Sequence, residues 1–525
     1  MKSNTTVPTL GVAERAGGPG RWVAGSVLMG LGLYVLTCAP GVLWQDSSIF
    51  QLRVYYGDLR GTLGLPLAHP LYIMLAKIFS LLPFGEYAYR VNLFSGVCGA
   101  ASLGFCTLLL LELTGSRVAA VSATCMLGLS HTFWMHSVMA EVYSLYALGL
   151  LIELWLLNRF FARRRPRWLI LAMLVCGVNL SNHMFALLHL PAYAGVCVWA
   201  LRSRVVSPKH VIASVGLFAI GTLPYTWLSL ADFWNGQPLL KTLRLALVGP
   251  PHFESLVLGT SFRLDQQASR TLGYFCLNFP TPLALLAPIG IWRAWNDRRM
   301  RGFAAIGIAI FVIAFVFAFR YDVPDQYVFF TPCYILFAVF AGLAIPRIAA
   351  ASRKKAALCI ALSLLSLPAY EIAPFAMQRF GISIGGARDL PFRDTYRYFV
   401  RPRKNGENGT ERFAEYALKR AAPDGLLTAD VTIKYALAYV RDIQGRHRGV
   451  TLVDSPYAPV REPTVPYTRE GIAEFVAKGT AYICDNTPGA IPKWILEGFD
   501  LVPTDKIFRL EPRTDRALEK PIPKT

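Results

Sequence analysis

Charge is in short supply in this chain. Only 16% of its 525 residues are Asp, Glu, Lys or Arg, and 54% are hydrophobic; an ordinary soluble domain carries about 25% charged residues. Acidic residues are the scarcer sign, 33 against 53 basic ones, for a formal charge of +20. The composition excludes a soluble globular chain and points to a membrane protein. No C-x-x-C spacing occurs among the ten cysteines. Cys38, Cys98, Cys106, Cys125, Cys176, Cys197, Cys276, Cys333 and Cys359 lie in apolar segments, and Cys484 alone lies in the polar tail. Redox and thiol-zinc chemistry are therefore not expected, and the cysteines read as small core residues. No basic patch is interleaved with aromatics on a soluble face, so no nucleic-acid partner is expected. No small-residue cleavage site follows the first apolar run, which is expected to stay as a membrane helix.

What is present is a series of apolar runs. Val23–Val42, Val97–Leu113 and Gly302–Phe319 approach or reach the roughly 20 residues that cross a bilayer. Basic clusters fall between runs, at Arg159–Arg167, Arg202–Lys209, Arg293–Arg301 and Arg347–Lys355. By the positive-inside rule they share one side of the membrane. The pattern predicts a mainly α, polytopic protein of about eleven spans, multi-pass in the plasma (inner) membrane. Its expected parts are a cytoplasmic tail at 1–21, a transmembrane domain at 22–373 with a first external loop at 43–90, and an extracytoplasmic domain at 374–525. In the last part, helical stretches (Glu411–Ala421, Thr432–Ile443, Arg469–Lys478) alternate with strand-like ones (Leu426–Ala429, Val450–Val453, Ala481–Cys484, Lys506–Leu510). That alternation predicts a small α/β fold with a partly parallel sheet, and it contains no Gly-rich phosphate loop.

The side assignment puts Asp46, His69, Arg90, His136, Glu141, Asn182, His183, Asp232, Asp322 and Asp325 at the external face. Ionisable groups near membrane depth are read as functional by default, and ten polar groups from different helices predict one cavity there. Each has a plainer reading. Asp46, in Asp46-Ser47-Ser48, is either a helix N-cap or a carboxylate that takes a proton from an acceptor hydroxyl or holds a divalent cation. His69-Pro70 either starts a helix or lets the imidazole donate to a phosphate or position a hydroxyl. Arg90 either snorkels or, beside Asn92, holds a lipid-linked phosphate. Glu141 opens a helix, yet with Trp134, His136 and Tyr143 it also resembles a sugar-binding surface. Asn182-His183 is a satisfied internal amide or a ligand contact, and Asp322 and Asp325 flank Pro324 in a turn.

Thr37-Cys38-Ala39-Pro40-Gly41-Val42 with Trp44-Gln45-Asp46-Ser47, then Ala68-His69-Pro70-Leu71-Tyr72, resembles the bacterial protein O-mannosyltransferase-like family. Leu81-Leu82-Pro83-Phe84-Gly85, Tyr89-Arg90-Val91-Asn92-Leu93, Ser130-His131-Thr132-Phe133-Trp134, Ala140-Glu141-Val142-Tyr143, Ser181-Asn182-His183 and Leu223-Pro224-Tyr225 continue the similarity. It implies a GT-C glycosyltransferase fold, an external active site, and a sugar carried on a polyprenyl phosphate. Asp46 would then be the base, with inversion at the anomeric carbon, and mannose and an exported protein's Ser/Thr (or a glycan) are the implied sugar and acceptor. His69, Arg90, Asn92, His136, Glu141, Tyr143, Asn182, His183 and Asp322 are the implied donor phosphate and sugar contacts. The chain departs from the family where Asp-Ser-Gly-Glu becomes Asp46-Ser47-Ser48-Ile49, and where the His69-Pro70 stretch lacks the family's Gly-Tyr-Pro insertion. The rival expectations are a transporter or lipid-carrier flippase, which would show inverted repeats, and a non-catalytic donor-binding relative.

Overall fold

The computed structural model describes residues 18–61, 64–249, 263–382, 384, 388–454 and 460–513. Most of the expected cytoplasmic tail, and the middle of the loop expected at 231–270, lie outside the described residues. Among the described residues, six helices are long and apolar enough to cross a membrane: Pro19–Thr37 (α1), Tyr87–Thr114, Tyr143–Arg163, Met184–Arg202, Arg301–Arg320 and Gln326–Ala350. Three bent pairs bring the count to nine if each is one span: Pro208–Gly221 with Leu223–Trp234, Leu264–Asn278 with Pro282–Asn296, and Arg353–Ser363 with Ser366–Arg379. The two remaining expected crossings fall on shorter helices, Arg117–Gly128 and Pro166–Asn182. A proline stands in the first turn after each bend, at Pro224, Pro282 and Pro368, where the ring removes a backbone donor and crowds the preceding turn. Large apolar side chains stay exposed on these helices, among them Leu36, Ile212, Trp227 and Trp292, as a lipid-facing surface requires.

Between α1 and Tyr87–Thr114 lie two short helices, Asp46–Tyr56 (α2) and Pro70–Phe79 (α3). Met74, Leu75 and Ile78 on α3 are exposed while Tyr72, Ile73 and Ala76 are buried. This two-faced, ten-residue helix suits the membrane interface, not a crossing.

The strands of the C-terminal part are Leu426–Thr428 (β1), Thr451–Val453 (β2), Thr464–Val465 (β3), Ala481–Ile483 (β4), Phe499–Thr504 (β5) and Ile507–Pro512 (β6). They form one six-stranded sheet in the order β3-β2-β1-β4-β6-β5. The first four strands pair in parallel; β6 runs antiparallel to β4 and to β5. This is the partly parallel sheet that the alternation predicts, with β3 and β5 added. The sheet does not stand apart from the helices. One apolar cluster joins Val42, Leu43, Trp44, Leu52 and Met135 to Tyr398, Phe413, Leu427 and Tyr439. Backbone bonds cross the same junction: Lys404 N–H to the Thr37 carbonyl, 2.8 Å, and Gln45 N–H to the Thr432 carbonyl, 3.0 Å.

Candidate active site

Helix α1 ends at Thr37, and Cys38 leaves it in an extended conformation at φ −62° and ψ 142°; Pro40, two residues on, holds its own predecessor Ala39 out of the helical region. The chain then turns through Gln45 at φ 60°, ψ −137°. Positive φ in a residue with a Cβ costs about 1–3 kcal/mol and persists only where the surroundings enforce it. His69, before α3, is a second such residue at φ 49°. Gln45 takes the cap position of α2 and no side chain caps the helix. The N-cap reading of Asp46 is therefore corrected, and its carboxylate is not spent on that role.

Asn92, fully buried on the Tyr87–Thr114 helix, ties the turns together. Its Oδ1 accepts from Gln51 Nε2 (2.8 Å) and Ala140 N–H (2.9 Å), and its Nδ2 donates to the Ala39 (3.1 Å) and Gly41 (3.0 Å) carbonyls. Ser47 Oγ donates to the Ala140 carbonyl at 3.2 Å, and Ser95 Oγ donates to the Glu141 carbonyl at 3.1 Å. The two turns that carry Asp46 and Glu141 are thereby bolted to one helix.

Asp46, Glu141 and Asp325 come close enough there to feel one another's charge. None of the three carboxylates is in an ion pair among the described residues. Asp46 is exposed to solvent although protein crowds round its carboxyl. This enclosure raises its pKa to about 7, with the Asp325 charge adding to the effect. Glu141 is raised well above the carboxylate range by burial, then by Asp46 and Asp325, and Asp325 is raised by burial. Burial and like charge both disfavour the ionised form.

A row of rings runs beside the acids. His136 stacks on Tyr143 (centroids 4.9 Å, 26°) and on Tyr327 (6.4 Å, 22°). Tyr143 lies 5.3 Å from His183, His183 5.1 Å from His69, and His69 5.7 Å from Phe50. Tyr143, Asp325 and Tyr327 are half-buried, so the row opens to solvent. From the C-terminal segment comes Tyr398, which feels the charges of Arg393, Glu141 and Asp46. Arg393 lies over the rings of Trp44, Tyr398 and Phe399 at 5.6, 5.6 and 5.1 Å.

The structure therefore gathers Asp46, His69, His136, Glu141, Tyr143, Asn182 and His183. It does not bring in the other expected contacts. Arg90 donates to the Leu82 carbonyl at 2.8 Å and sits over Tyr87, and it pairs with none of the acids among the described residues. Asn92 is spent on the four bonds above. Asp322 is exposed and paired with Arg270 at 3.0 Å, so its neighbour Asp325 is the acid delivered by this turn. Asp232 pairs with Arg60. Sequence reading missed Tyr327, Tyr398 and Arg393. An aromatic in an apolar run carries no signal that separates a site ring from a core ring. Tyr398 and Arg393 come from a segment far along the chain from Asp46 and Glu141, and no spacing rule links them.

The helical bundle has a GT-C-like fold. Over 95% of the chain it matches ArnT from Cupriavidus metallidurans bound to undecaprenyl phosphate (TM-score 0.56, 14% identity, 99% of that chain). It also matches the apo state of ArnT (TM-score 0.53, 14% identity, 94% of this chain and 98% of that one). At that identity the likeness is one of fold. Residues 64–207 match the family model of the protein O-mannosyl-transferase TMEM260 N-terminal domain. The Mus musculus protein O-mannosyl-transferase TMEM260 is 29% identical over 195 residues, which is 34% of this chain. The match spans 27% of that relative's length. The resemblance read from the sequence is thus found again by comparison; the matched stretch includes His69, His136, Glu141, Tyr143 and His183, while Asp46 precedes it.

Proposed function

We propose that the protein moves a sugar, mannose-like by resemblance, from a polyprenyl-phosphate donor to an acceptor hydroxyl, with inversion. The observation that carries this reading is Asp46: in no ion pair among the described residues, reachable by solvent, and raised to about 7 by its enclosure and by Asp325. A base poised near the working pH is what proton removal from a hydroxyl needs. Asp46 takes the proton, the acceptor oxygen attacks the anomeric carbon, and the bond to phosphate breaks as the polyprenyl phosphate leaves. Arg393, whose guanidinium lies over Trp44 and Tyr398, is the cation that would meet that phosphate. Half-buried Tyr143 and Tyr327, stacked on either side of buried His136, would offer their outer edges and faces to the sugar.

The oxygens of Asp46, Glu141 and Asp325 are the groups that would hold a divalent cation, whose chemistry is to neutralise charge on the phosphate. The three are chemically suited to a hard cation, but among the described residues their oxygens do not all converge within 4.8 Å. The family's second acid is replaced by Ile49, which is buried in the apolar cluster; Glu141 and Asp325 supply further carboxylates from other turns. Incubating the purified protein in detergent with labelled polyprenyl-phosphate sugars and a serine- and threonine-rich acceptor tests the reading. Label should pass to the acceptor; its failure to do so from any such donor would overturn the reading.

A further inference from the structure

We propose that His69 and His183 form a hydroxyl-binding pair, one ring nitrogen accepting a hydrogen bond from the hydroxyl and the other donating one to its oxygen. The assignment follows from what each ring has already spent. His69 Nδ1 lies 2.6 Å from the Asn182 carbonyl. A carbonyl oxygen only accepts, so Nδ1 carries the proton and the neutral ring offers a lone pair at Nε2. His183 Nδ1 accepts from the Phe185 backbone N–H at 3.1 Å, which puts the His183 proton on Nε2. The two rings are 5.1 Å apart with their planes 32° from parallel. Among the described residues, neither Nε2 has a hydrogen-bond partner.

One free acceptor and one free donor on rings 5.1 Å apart match a hydroxyl, which is both donor and acceptor. They do not match a phosphate, whose oxygens would face the His69 lone pair. Of the two roles open to His69 from its sequence, positioning a hydroxyl is therefore the one its bonding allows. Burial also holds His69 down at about 3, so the ring stays neutral at ordinary pH. Asn182, whose carbonyl meets His69 and which precedes His183 in the chain, is buried, and its Oδ1 has no partner among the described residues either. The pair adjoins Tyr143, 5.3 Å from His183.

This inference rests on the glycosyl-transfer reading, and the hydroxyl is either the sugar's or the acceptor's. Binding of polyprenyl-phosphate mannose, of bare polyprenyl phosphate, and of a serine-rich peptide against its alanine counterpart would be measured for wild type, His69→Phe and His183→Phe. Both variants should weaken the same hydroxyl-bearing probe about tenfold, as for one lost hydrogen bond with its partner left unpaired. Bare polyprenyl phosphate should bind unchanged, which also reports that the variants are folded. Loss on the mannose lipid assigns the sugar hydroxyl, and loss on the serine peptide the acceptor hydroxyl. His183→Gln, which keeps an N–H donor, should restore part of the loss. Equal weakening of the bare phosphate lipid, loss on a different probe for each variant, or no change with any probe would overturn the pair. Wild type that binds neither lipid would instead sink the donor reading itself.

Discussion

Two carboxylate-and-imidazole clusters on the membrane helices and their turns differ in how their polar atoms are satisfied. Deep among the membrane helices, Glu153 Oε2 accepts from His189 Nδ1 (2.8 Å) and the Tyr193 hydroxyl (3.1 Å), and Oε1 accepts from Asn179 Nδ2 (3.1 Å). His189 Nε2 lies 2.8 Å from the Tyr146 hydroxyl. Glu153 and His189 are fully buried. Their ligand atoms and Cys176 Sγ come within 4.8 Å of one another, the one such trio among the described residues, yet the Glu153 and His189 atoms are already bonded. In the other cluster Asp46, Glu141 and Asp325 have no ion pair among the described residues, and Asp46 is open to solvent. The difference separates two uses of costly polar groups: a closed network holds helices together, whereas an open one has capacity left for a ligand.

Reciprocal substitutions are the strongest way to break this comparison. Asp46→Asn should reduce transfer by about 10²–10⁴-fold, the range for a lost general base, with thermal unfolding in detergent unchanged. Glu153→Ala should do the opposite. It leaves the buried His189 Nδ1 and Tyr193 hydroxyl donors unpaired, while Asn179 Nδ2 keeps its bond to the Tyr146 carbonyl, and should lower stability by about 1–3 kcal/mol for each group left without a partner, read as a lower unfolding midpoint. Transfer by its folded fraction should persist. If Glu153→Ala abolished turnover without loss of stability, the closed network would be functional after all.

Asn92→Ala lies between the two. It removes the four bonds that hold the Asp46 and Glu141 turns, and should cost about 1–3 kcal/mol for each buried partner left unpaired while also slowing transfer. An effect on stability alone would show that the turns keep their geometry without it. The smallest effect is expected of Asp325→Asn. Removing a like charge beside Asp46 makes its ionised form easier to reach, so the acid limb of the rate profile should move to lower pH. A move to higher pH would contradict the coupling.

Much of this was legible in the sequence because it depends on periodicity and composition. The apolar runs located the membrane helices, and alternating signals in residues 426–510 located four of the six strands. The positive-inside pattern alone brought Asp46, His136, Glu141 and His183 to one face. Direction within a turn was not legible: Asp322 and Asp325 flank the same proline, and only coordinates show that the first meets Arg270 and the second meets the acids. Nor was the difference between a strut and a contact. Asn92 sits beside Arg90 in sequence but is held by four backbone and side-chain partners. The imidazole tautomers depend on bonds to Asn182 and Phe185, which no motif encodes.

The rate of sugar transfer across about pH 5 to 9 is the most direct test of Asp46 as the base. A base works only when deprotonated, so the rate should rise with pH through a midpoint of about 7, where enclosure and Asp325 have set the carboxyl. A rate that is flat across that range, or that falls through it, would contradict the assignment.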